Sequence, residues 1–171
     1  YVDYSVTETV RAPNDLAYLA SISKEFDLEC KIRDYPMERE KNISLNIEHL
    51  LNDINSFLPD MVVMSITNTT LLHDLESFKE IKKILPSVIT IAKGAYFYTA
   101  NHNDWIDERF QYMDIAISGE AESIFGTLLA SLLSQSPLKE VPGLIIKLEN
   151  DLIDDSTQFY KTPTAEFLQD I

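Results

Sequence analysis

The chain has 171 residues, of which 45% are apolar and 25% charged, a composition typical of one globular domain. With 28 acidic and 14 basic residues the net charge is −14, and a surface that negative repels nucleic-acid phosphates and anionic lipids. We therefore expect neither nucleic acid nor a membrane as partner. No apolar run approaches the roughly 18 residues of a membrane helix, and no signal peptide opens the chain. The sequence favours a soluble, cytoplasmic domain.

Four stretches have the spacing of amphipathic helices: residues 14–26, 44 to about 58, 73–85 and 120–133. In the third, Leu75, Phe78 and Ile81 lie along one side, and Pro86 ends the helix.

Short apolar runs between these helices predict strands. Residues 61–66, 88–92 and 115–117 are apolar on both faces, which is typical of parallel strands covered by helices on both sides. Residues 30–34 predict a shorter, more polar strand near an edge, and residues 1–6 are a candidate first strand. The alternation predicts an α/β fold with a doubly wound, mainly parallel five-stranded sheet, flavodoxin-like or Rossmann-like, in the order 2-1-3-4-5.

The tail differs from this pattern. Residues 141–148, followed by 152–153, predict a hairpin or an extended edge, and the chain turns polar after Asp154. We expect one α/β domain over residues 1–140. Residues 141–171 would form a C-terminal β extension and a linker towards a further domain, and the first residue, Tyr1, indicates a fragment of a longer protein.

Ligands of open parallel sheets bind beyond the carboxyl ends of the strands. Three loops should meet there: residues 67–70, 93–99 and 118–123. The hydroxyl-rich first loop is equally well a helix-capping turn or a ligand contact. The aromatic residues 96–98 cannot all face inward, so a flat ligand or a partner domain is an alternative to core packing.

The third loop has a purely structural interpretation as well. Gly119 can serve only to turn the chain, while Glu120 and Glu122 favour the positive end of the following helix.

Motifs of catalysis and metal binding are missing from the sequence. There is no phosphate-binding loop and no dinucleotide fingerprint. The three histidines lack metal-ligand spacing, and Cys30 is the only cysteine. Taken alone, the residues predict a binding domain with no catalytic residue and no metal ligand.

Five segments, in chain order, match the motifs of one known family. Residues 12–21 (Ala-Pro-Asn-Asp-Leu-Ala-Tyr-Leu-Ala-Ser) resemble its Pro-Pro-Leu-Gly-Leu-x-Tyr-Leu-Ala segment, and residues 59–67 its third strand and loop. Residues 93–96 (Lys-Gly-Ala-Tyr) fall where a Gly-Gly-Pro-His type of loop is common, residues 113–122 resemble Asp-x-x-x-x-Gly-Glu-Gly-Glu, and residues 141–144 resemble Ile-x-Gly-Leu. The family is the N-terminal cobalamin-binding domain of cobalamin-dependent radical SAM proteins, which include anaerobic magnesium-protoporphyrin IX monomethyl ester oxidative cyclases.

The resemblance implies a domain that holds cobalamin over the carboxyl ends of its strands. It also implies a downstream radical SAM domain of the same polypeptide, a barrel with a 4Fe-4S cluster and S-adenosylmethionine, which performs methyl transfer or oxidative cyclisation. By the same resemblance the cofactor-binding residues would be Pro13, Leu16, Ser65, Thr67, Asn68, Thr69, Thr70, Lys93, Gly94, Ala95, Tyr96, Gly119, Glu120 and Glu122.

Two positions depart from the family pattern. Lys93 replaces the first glycine of the Gly-Gly loop, where the family's glycine lets the nucleotide tail of cobalamin approach the backbone, and Asn14-Asp15 replaces Leu-Gly. The lysine either blocks the tail or pairs with the cobalamin phosphate. The alternative function is therefore a degenerate domain of the same fold that binds no cobalamin and acts as a docking or substrate-covering module.

Overall fold

Helices alternate with short apolar strands along the part of the chain that the computed structural model describes, residues 14–33, 47–99, 107–148 and 159–165. Two 3-10 turns, Glu108–Tyr112 and Leu138–Glu140, lead into the third and fourth strands. The elements in chain order are α1 (Asn14–Glu25), α2 (Ile47–Phe57), β1 (Met61–Ser65), α3 (Leu71–Ile84), β2 (Ile89–Lys93), α4 (Tyr96–Thr99), β3 (Ile115–Ile117), α5 (Ala121–Ser134), β4 (Leu144–Lys147) and β5 (Phe159–Lys161).

The five strands form one sheet in the order β1-β2-β3-β4-β5. The first three strands are parallel, whereas β4 pairs antiparallel with β3, and β5 antiparallel with β4. One register row crosses the first four strands through Val63, Ile91, Ile115 and Ile146. The predicted α/β class and five-stranded sheet are confirmed, and β1, β2 and β3 are adjacent as predicted. The predicted order 2-1-3-4-5 is wrong for its second strand, because residues 28–33 form no strand, and its first strand lies outside the described residues. Two C-terminal antiparallel strands, β4 and β5, complete the sheet instead.

Helices cover both faces of the sheet, as strands that are apolar on both sides predict. On one face Ile91, Ile117 and Leu144 pack with α5, whose Leu128 and Leu129 are fully buried, and with Leu19 of α1. On the other face Ala92, Ala116 and Ile145 pack with Leu75 and Phe78 of α3. Burial of each such leucine or phenylalanine contributes about 1.5–3 kcal/mol, so the two layers fix the sheet between them.

The predicted strand at residues 30–34 does not form where the structure describes it, over residues 28–33. Lys31 and Arg33 instead reach α2, where both pair with Asp53 at 3.0 and 2.7 Å. Ile32 between them is 41% exposed. Alternating polar and apolar residues suit an exposed connection as well as a strand. Here the ion pairs to α2 hold an exposed segment that pairs with no strand of the described sheet.

The C-terminal extension is a strand pair with a different second member from the one predicted. β4 lies within the predicted residues 141–148, but its partner is β5 at Phe159–Lys161, in the polar stretch after Asp154 where no strand is predicted. Phe159 is buried, which supplies the apolar anchor of this short strand. The predicted strand segments 1–6 and 152–153 lie outside the described residues. Among the described residues, no helix combines the length and the apolar character that crossing a bilayer requires.

Candidate functional site

The carboxyl ends of the three parallel strands lie at one edge of the sheet, and their loops contact each other there. The backbone N–H of Ile66, just after β1, donates to the carbonyl of Lys93 at 2.7 Å. The Ser118 hydroxyl, just after β3, donates to the carbonyl of Phe97 at 2.7 Å. The predicted convergence of the loops after β1, β2 and β3 is confirmed. We call this surface the carboxyl edge.

The C-terminal extension brings a fourth segment to the same edge. Because β4 and β5 are antiparallel to their neighbours, the chain leaving β5 returns to the place where β3 ends. Ser118 N donates to the carbonyl of Gly143, and Gly143 N donates to the carbonyl of Pro163, both at 2.7 Å. Lys161 and Thr164 therefore belong to the carboxyl edge.

A lysine–aspartate pair lies at the centre of the carboxyl edge. Lys93 is the last residue of β2, and its Nζ lies 2.5 Å from Asp15 Oδ2 in the first turn of α1. The Ser65 hydroxyl at the end of β1 donates to the same oxygen at 3.0 Å. Asp15 thus joins α1 to two neighbouring strands.

Burial makes this pairing necessary. The Lys93 side chain is only 10% exposed, and a buried ammonium without a partner is costly. Burial alone would raise the pKa of the Asp15 carboxyl, but hydrogen bonds and attraction from Lys93, with the Ser65 hydroxyl, outweigh that effect and hold the pKa below its ordinary value. The Asp15 carboxyl is therefore charged at neutral pH and lies against Lys93 Nζ beneath the edge.

Gly94 follows directly and is required by the protein's own backbone. Its φ is +144°, and a Cβ at this position would lie 1.9 Å from the carbonyl oxygen of Ile66. No side chain fits there, because the ends of β1 and β2 are already closed against each other. Gly94, which the family resemblance places in the cofactor-binding loop, is thus needed for the close approach of its own backbone to Ile66.

The loop after β1 is a turn held by its own hydroxyls. Thr67 Oγ1 lies 2.9 Å from Thr69 Oγ1 and 3.0 Å from Thr70 Oγ1, and Thr67 N donates to Thr70 Oγ1 at 3.2 Å. Thr70 precedes α3 without a side-chain cap bond to that helix. Thr67, Asn68 and Thr69 are exposed, so the turn displays hydroxyl and amide groups to solvent.

The three consecutive aromatics after β2 divide between core and surface. They lie in the short helix α4 rather than in a loop. Phe97 is fully buried, Tyr96 stacks on Phe110 with ring centroids 6.4 Å apart, and Tyr98 remains 46% exposed. As predicted, the aromatic residues do not all face inward. The pKa of Tyr98 is raised above its ordinary value. Partial burial is the largest cause, and the nearby carboxylates Glu122 and Glu120 add to it, so the hydroxyl is protonated at neutral pH.

A small cleft of about 90 Å³ lies between β3, the start of α5 and the end of β5. Six of its lining residues carry polar groups: Tyr98, Ser118, Glu120, Ser123, Lys161 and Thr164. Its volume is well below the roughly 300–1,000 Å³ of sites that enclose a small molecule. The cleft can take a substituent of a ligand but cannot enclose a cofactor.

The structure brings together most of the residues predicted to bind the cofactor. The edge contains Ser65, Thr67, Asn68, Thr69, Thr70, Lys93, Gly94, Ala95, Tyr96, Gly119, Glu120 and Glu122, with Leu16 beside Asp15 in the first turn of α1. Pro13 lies outside the described residues. Gly119 also packs closely, since a Cβ there would lie 2.9 Å from Ile124 Cδ1.

The predicted set omits several residues that the fold places at the edge, among them Asp15, Lys161 and Thr164. Asp15 is separated from Lys93 by 78 residues, and no local pattern joins them. Lys161 and Thr164 reach the edge only through the pairing of β5 with β4.

The chemistry of the edge suits a large ligand rich in amides. Exposed threonine hydroxyls and the Asn68 amide both donate and accept, while the carboxylates of Glu120 and Glu122 accept from amide N–H groups. The periphery of a corrin ring carries such amides, so the displayed groups fit it. Among the described residues no group of three or more His, Cys, Asp or Glu side chains is arranged to hold a metal ion.

No protein-family model matches the chain, and no curated protein matches it. Two solved structures of the radical S-adenosylmethionine methyltransferase TsrM from Kitasatospora setae are similar to it. The first, with cobalamin and a 4Fe-4S cluster bound, has a TM-score of 0.68 at 17% identity and is matched over 94% of this chain and 27% of that chain. The second, with tryptophan substrate and the SAM analogue aza-SAM bound, has a TM-score of 0.66 at 17% identity, over 92% of this chain and 28% of that chain. The chain thus shares the fold of a part of TsrM and spans little more than a quarter of its length.

Proposed function

We propose that this domain is the cobalamin-binding module of a larger radical SAM enzyme and presents the corrinoid to a downstream barrel of the same polypeptide. One observation carries the proposal: the polar loops after β1 and β3 and the helix after β2 meet at the carboxyl edge. They do so in a fold shared with an enzyme that was solved with cobalamin and a 4Fe-4S cluster bound. Ligand binding at this edge is the rule for open α/β sheets.

In this proposal each part of the edge has a distinct role towards the corrinoid. The turn Thr67, Asn68 and Thr69 donates hydrogen bonds to amide carbonyls of the ring periphery. Glu120 and Glu122 accept from amide N–H groups on the opposite side. Tyr98 supplies an exposed aromatic surface between them.

The bound cobalamin would supply a cobalt centre that carries a methyl group or an electron to the chemistry of the barrel. The domain's own residues would bind and orient the corrinoid, and the downstream 4Fe-4S cluster and S-adenosylmethionine would perform methyl transfer or oxidative cyclisation.

A second candidate function is favoured by the buried pair at the centre of the edge. Lys93 and Asp15 fill the position that the family resemblance gives to a glycine and the nucleotide tail. A domain with that position closed could retain the fold, bind no cobalamin and act as a docking or substrate-covering module for the barrel.

Titration of the purified protein with hydroxocobalamin, followed by size-exclusion chromatography, separates the two candidates. The first predicts a visible corrinoid spectrum that elutes with the protein, and a dissociation constant below millimolar. Thr69→Val should weaken binding about two- to tenfold, because one neutral hydrogen bond contributes about 0.5–1.5 kcal/mol. Thr127→Val, the same change on the exposed side of α5, is the matched control and should leave binding unchanged. Absence of binding at millimolar concentration would favour the covering module.

A further inference from the structure

We propose that the cleft between β3 and β5 binds a primary amide, with Lys161 on one wall and Glu120 on the other as its hydrogen-bonding partners. This inference rests on the proposed function, because the amide assigned to the cleft is a propionamide side chain of the corrin periphery. It gives Lys161, a residue of the C-terminal extension, a part in holding the corrinoid.

The wall that carries Lys161 is fixed by the backbone of the C-terminal extension. Lys161 is the last residue of β5, which pairs with β4. Just beyond it, the carbonyl of Pro163 accepts from the N–H of Gly143 at 2.7 Å. Lys161 and Thr164 line the cleft on either side of this bond. The ammonium and the hydroxyl are therefore carried by backbone that is held to the sheet.

The opposite wall is fixed by hydrogen bonds as well. The Ser118 hydroxyl donates to the carbonyl of Phe97 at 2.7 Å, which holds the end of β3 against the residue before Tyr98. The carbonyl of Glu120 accepts twice from Ser123, from its N–H at 3.1 Å and from its hydroxyl at 2.8 Å. Both walls of the cleft are thus preorganised, which lowers the cost of ordering them when a ligand binds.

Two opposite charges line the cleft without meeting. Lys161 and Glu120, both described residues, form no ion pair with each other. A group between them must accept a hydrogen bond from an ammonium and donate one to a carboxylate. A primary amide does both with separate atoms, its carbonyl oxygen and its NH₂ nitrogen. A carboxylate in the same place would meet the like charge of Glu120, and an ammonium would meet that of Lys161.

The size and the remaining lining of the cleft fit a propionamide. The volume of about 90 Å³ equals the liquid volume of roughly three water molecules, which is enough for a carboxamide group. Gly119 and Ala165 offer apolar surface to its methylene groups, and the hydroxyls of Tyr98 and Thr164 offer further hydrogen bonds. Of the two kinds of amide side chain on a corrin ring, acetamide and propionamide, the longer one enters the cleft while the ring stays outside.

Equilibrium titrations with hydroxocobalamin and with its three monocarboxylic acids, each with one propionamide hydrolysed, test this inference on the unmodified protein by visible absorbance. We expect one monocarboxylic acid to bind about tenfold more weakly than hydroxocobalamin, because its carboxylate meets Glu120, and the other two to bind within about threefold. Equal binding of all four corrinoids would overturn the inference and leave the proposed function standing. Failure of hydroxocobalamin itself to bind would overturn the proposed function and this inference with it.

Two variants test the assigned partners. Glu120→Gln removes the like charge, so it should reduce the penalty of the weakly bound monocarboxylic acid by about fivefold or more. Lys161→Met keeps the apolar length of the side chain and should weaken hydroxocobalamin binding about tenfold, because hydrogen bonds from charged donors are strong. A penalty that persists in Glu120→Gln would overturn the assignment of the amide to this cleft.

The matched controls are Glu25→Gln and Lys24→Met. Both residues are exposed in the last turn of α1, and Lys24 lies about 14 Å along that helix from Asp15 at the carboxyl edge. These variants carry the same charge changes and should alter neither the affinity nor the penalty. Circular dichroism establishes that each variant is folded, and the comparison of the four corrinoids on the unmodified protein decides the inference if one is not.

Discussion

Two lysine–aspartate pairs connect helices to the sheet at its opposite edges, and they are built differently. We call the surface at the amino ends of the three parallel strands the amino edge. There Lys82 of α3 pairs with Asp114, just before β3, at 2.6 Å. At the carboxyl edge Lys93 of β2 pairs with Asp15 of α1 at 2.5 Å. Both lysines are largely buried, with 19% and 10% of their side chains exposed.

The amino-edge pair is tied to the backbone of the sheet. Lys82 also donates to the carbonyl of Val88 at 2.6 Å, and Asp114 accepts from the backbone N–H of Thr90 at 2.8 Å. The Thr90 hydroxyl donates to the same carboxylate at 3.0 Å. Every one of these partners lies at the start of β2 or β3, so the pair fixes the register of α3 on the strands.

The carboxyl-edge pair contacts the sheet only through side chains, as far as the described residues show, while Asp15 also accepts a backbone hydrogen bond from Leu16 within α1. Asp15 contacts Ser65 and Lys93 by their side chains, and 37% of its own side chain is exposed. Backbone groups therefore hold the Lys82–Asp114 pair in place. At the carboxyl edge a ligand can compete for the partly exposed Asp15 carboxylate. Only the second pair lies where a ligand of this fold would bind.

The largest expected effect comes from the backbone junction beneath the carboxyl-edge pair. Gly94→Ala should lower the free energy of unfolding by about 3 kcal/mol or more. The new Cβ would meet the Ile66 carbonyl oxygen at 1.9 Å, and the φ of +144° strains any residue other than glycine. Urea denaturation followed by circular dichroism measures the change.

Gly126→Ala is the matched control for this substitution. A Cβ at that helical position would lie 3.5 Å from Ile22 Cγ2, an ordinary contact. The exchange should raise the free energy of unfolding by about 0.5–1 kcal/mol, as expected for alanine in a helix. Equal effects of the two substitutions would contradict the closed junction between β1 and β2.

Loss of the amino-edge carboxylate should have the next largest effect. Asp114→Asn should lower the free energy of unfolding by about 2–3 kcal/mol, because Lys82 loses its charged partner in a mostly buried place. Corrinoid binding, if present, should not change, since the pair lies at the far edge of the sheet. Chemical denaturation and the hydroxocobalamin titration give the two readouts.

The exposed pair Lys79–Glu76 on α3 provides the control for that experiment. Glu76→Gln should leave the denaturation midpoint almost unchanged, because exposed ion pairs contribute little to stability. A change in corrinoid affinity on Asp114→Asn without loss of stability would contradict the division of roles between the two edges.

The parts of the fold that the sequence predicted are those with a strong local signal. β1, β2 and the buried sides of α3 and α5 follow from continuous apolar runs or from helical spacing, which act over a few residues. Residues 30–33 gave a weak alternating pattern that an exposed connection shares, and that prediction was wrong. β5 has only three residues, and it forms because β4 offers a free edge.

The site shows the same limit. Loops after parallel strands converge by geometry, so the members of the carboxyl edge were predictable once the strands were assigned. The pair between Lys93 and Asp15 was not, because its partners are 78 residues apart and each has an ordinary local interpretation. Lys93 is unusual only by comparison with the glycine that the resembling family has at this position.

The smallest and most specific effect is the pH dependence of the carboxyl-edge pair. Asp15→Asn should lower the free energy of unfolding at pH 7 by about 1–2 kcal/mol, an amount reduced by the partial exposure of Asp15.

In the folded protein Lys93 and Ser65 hold the pKa of Asp15 below its ordinary value. A depressed carboxyl pKa contributes stability that is complete above the unfolded value of about 4 and is lost as the pH falls through the folded value. The gap between the unmodified protein and the variant should therefore be equal at pH 7 and pH 5 and narrow at pH 3.5 and below, as measured by urea denaturation at each pH. A gap that stays constant down to pH 3 would mean that Asp15 does not hold Lys93 as a carboxylate, and the contrast between the two edges would then lose its electrostatic basis.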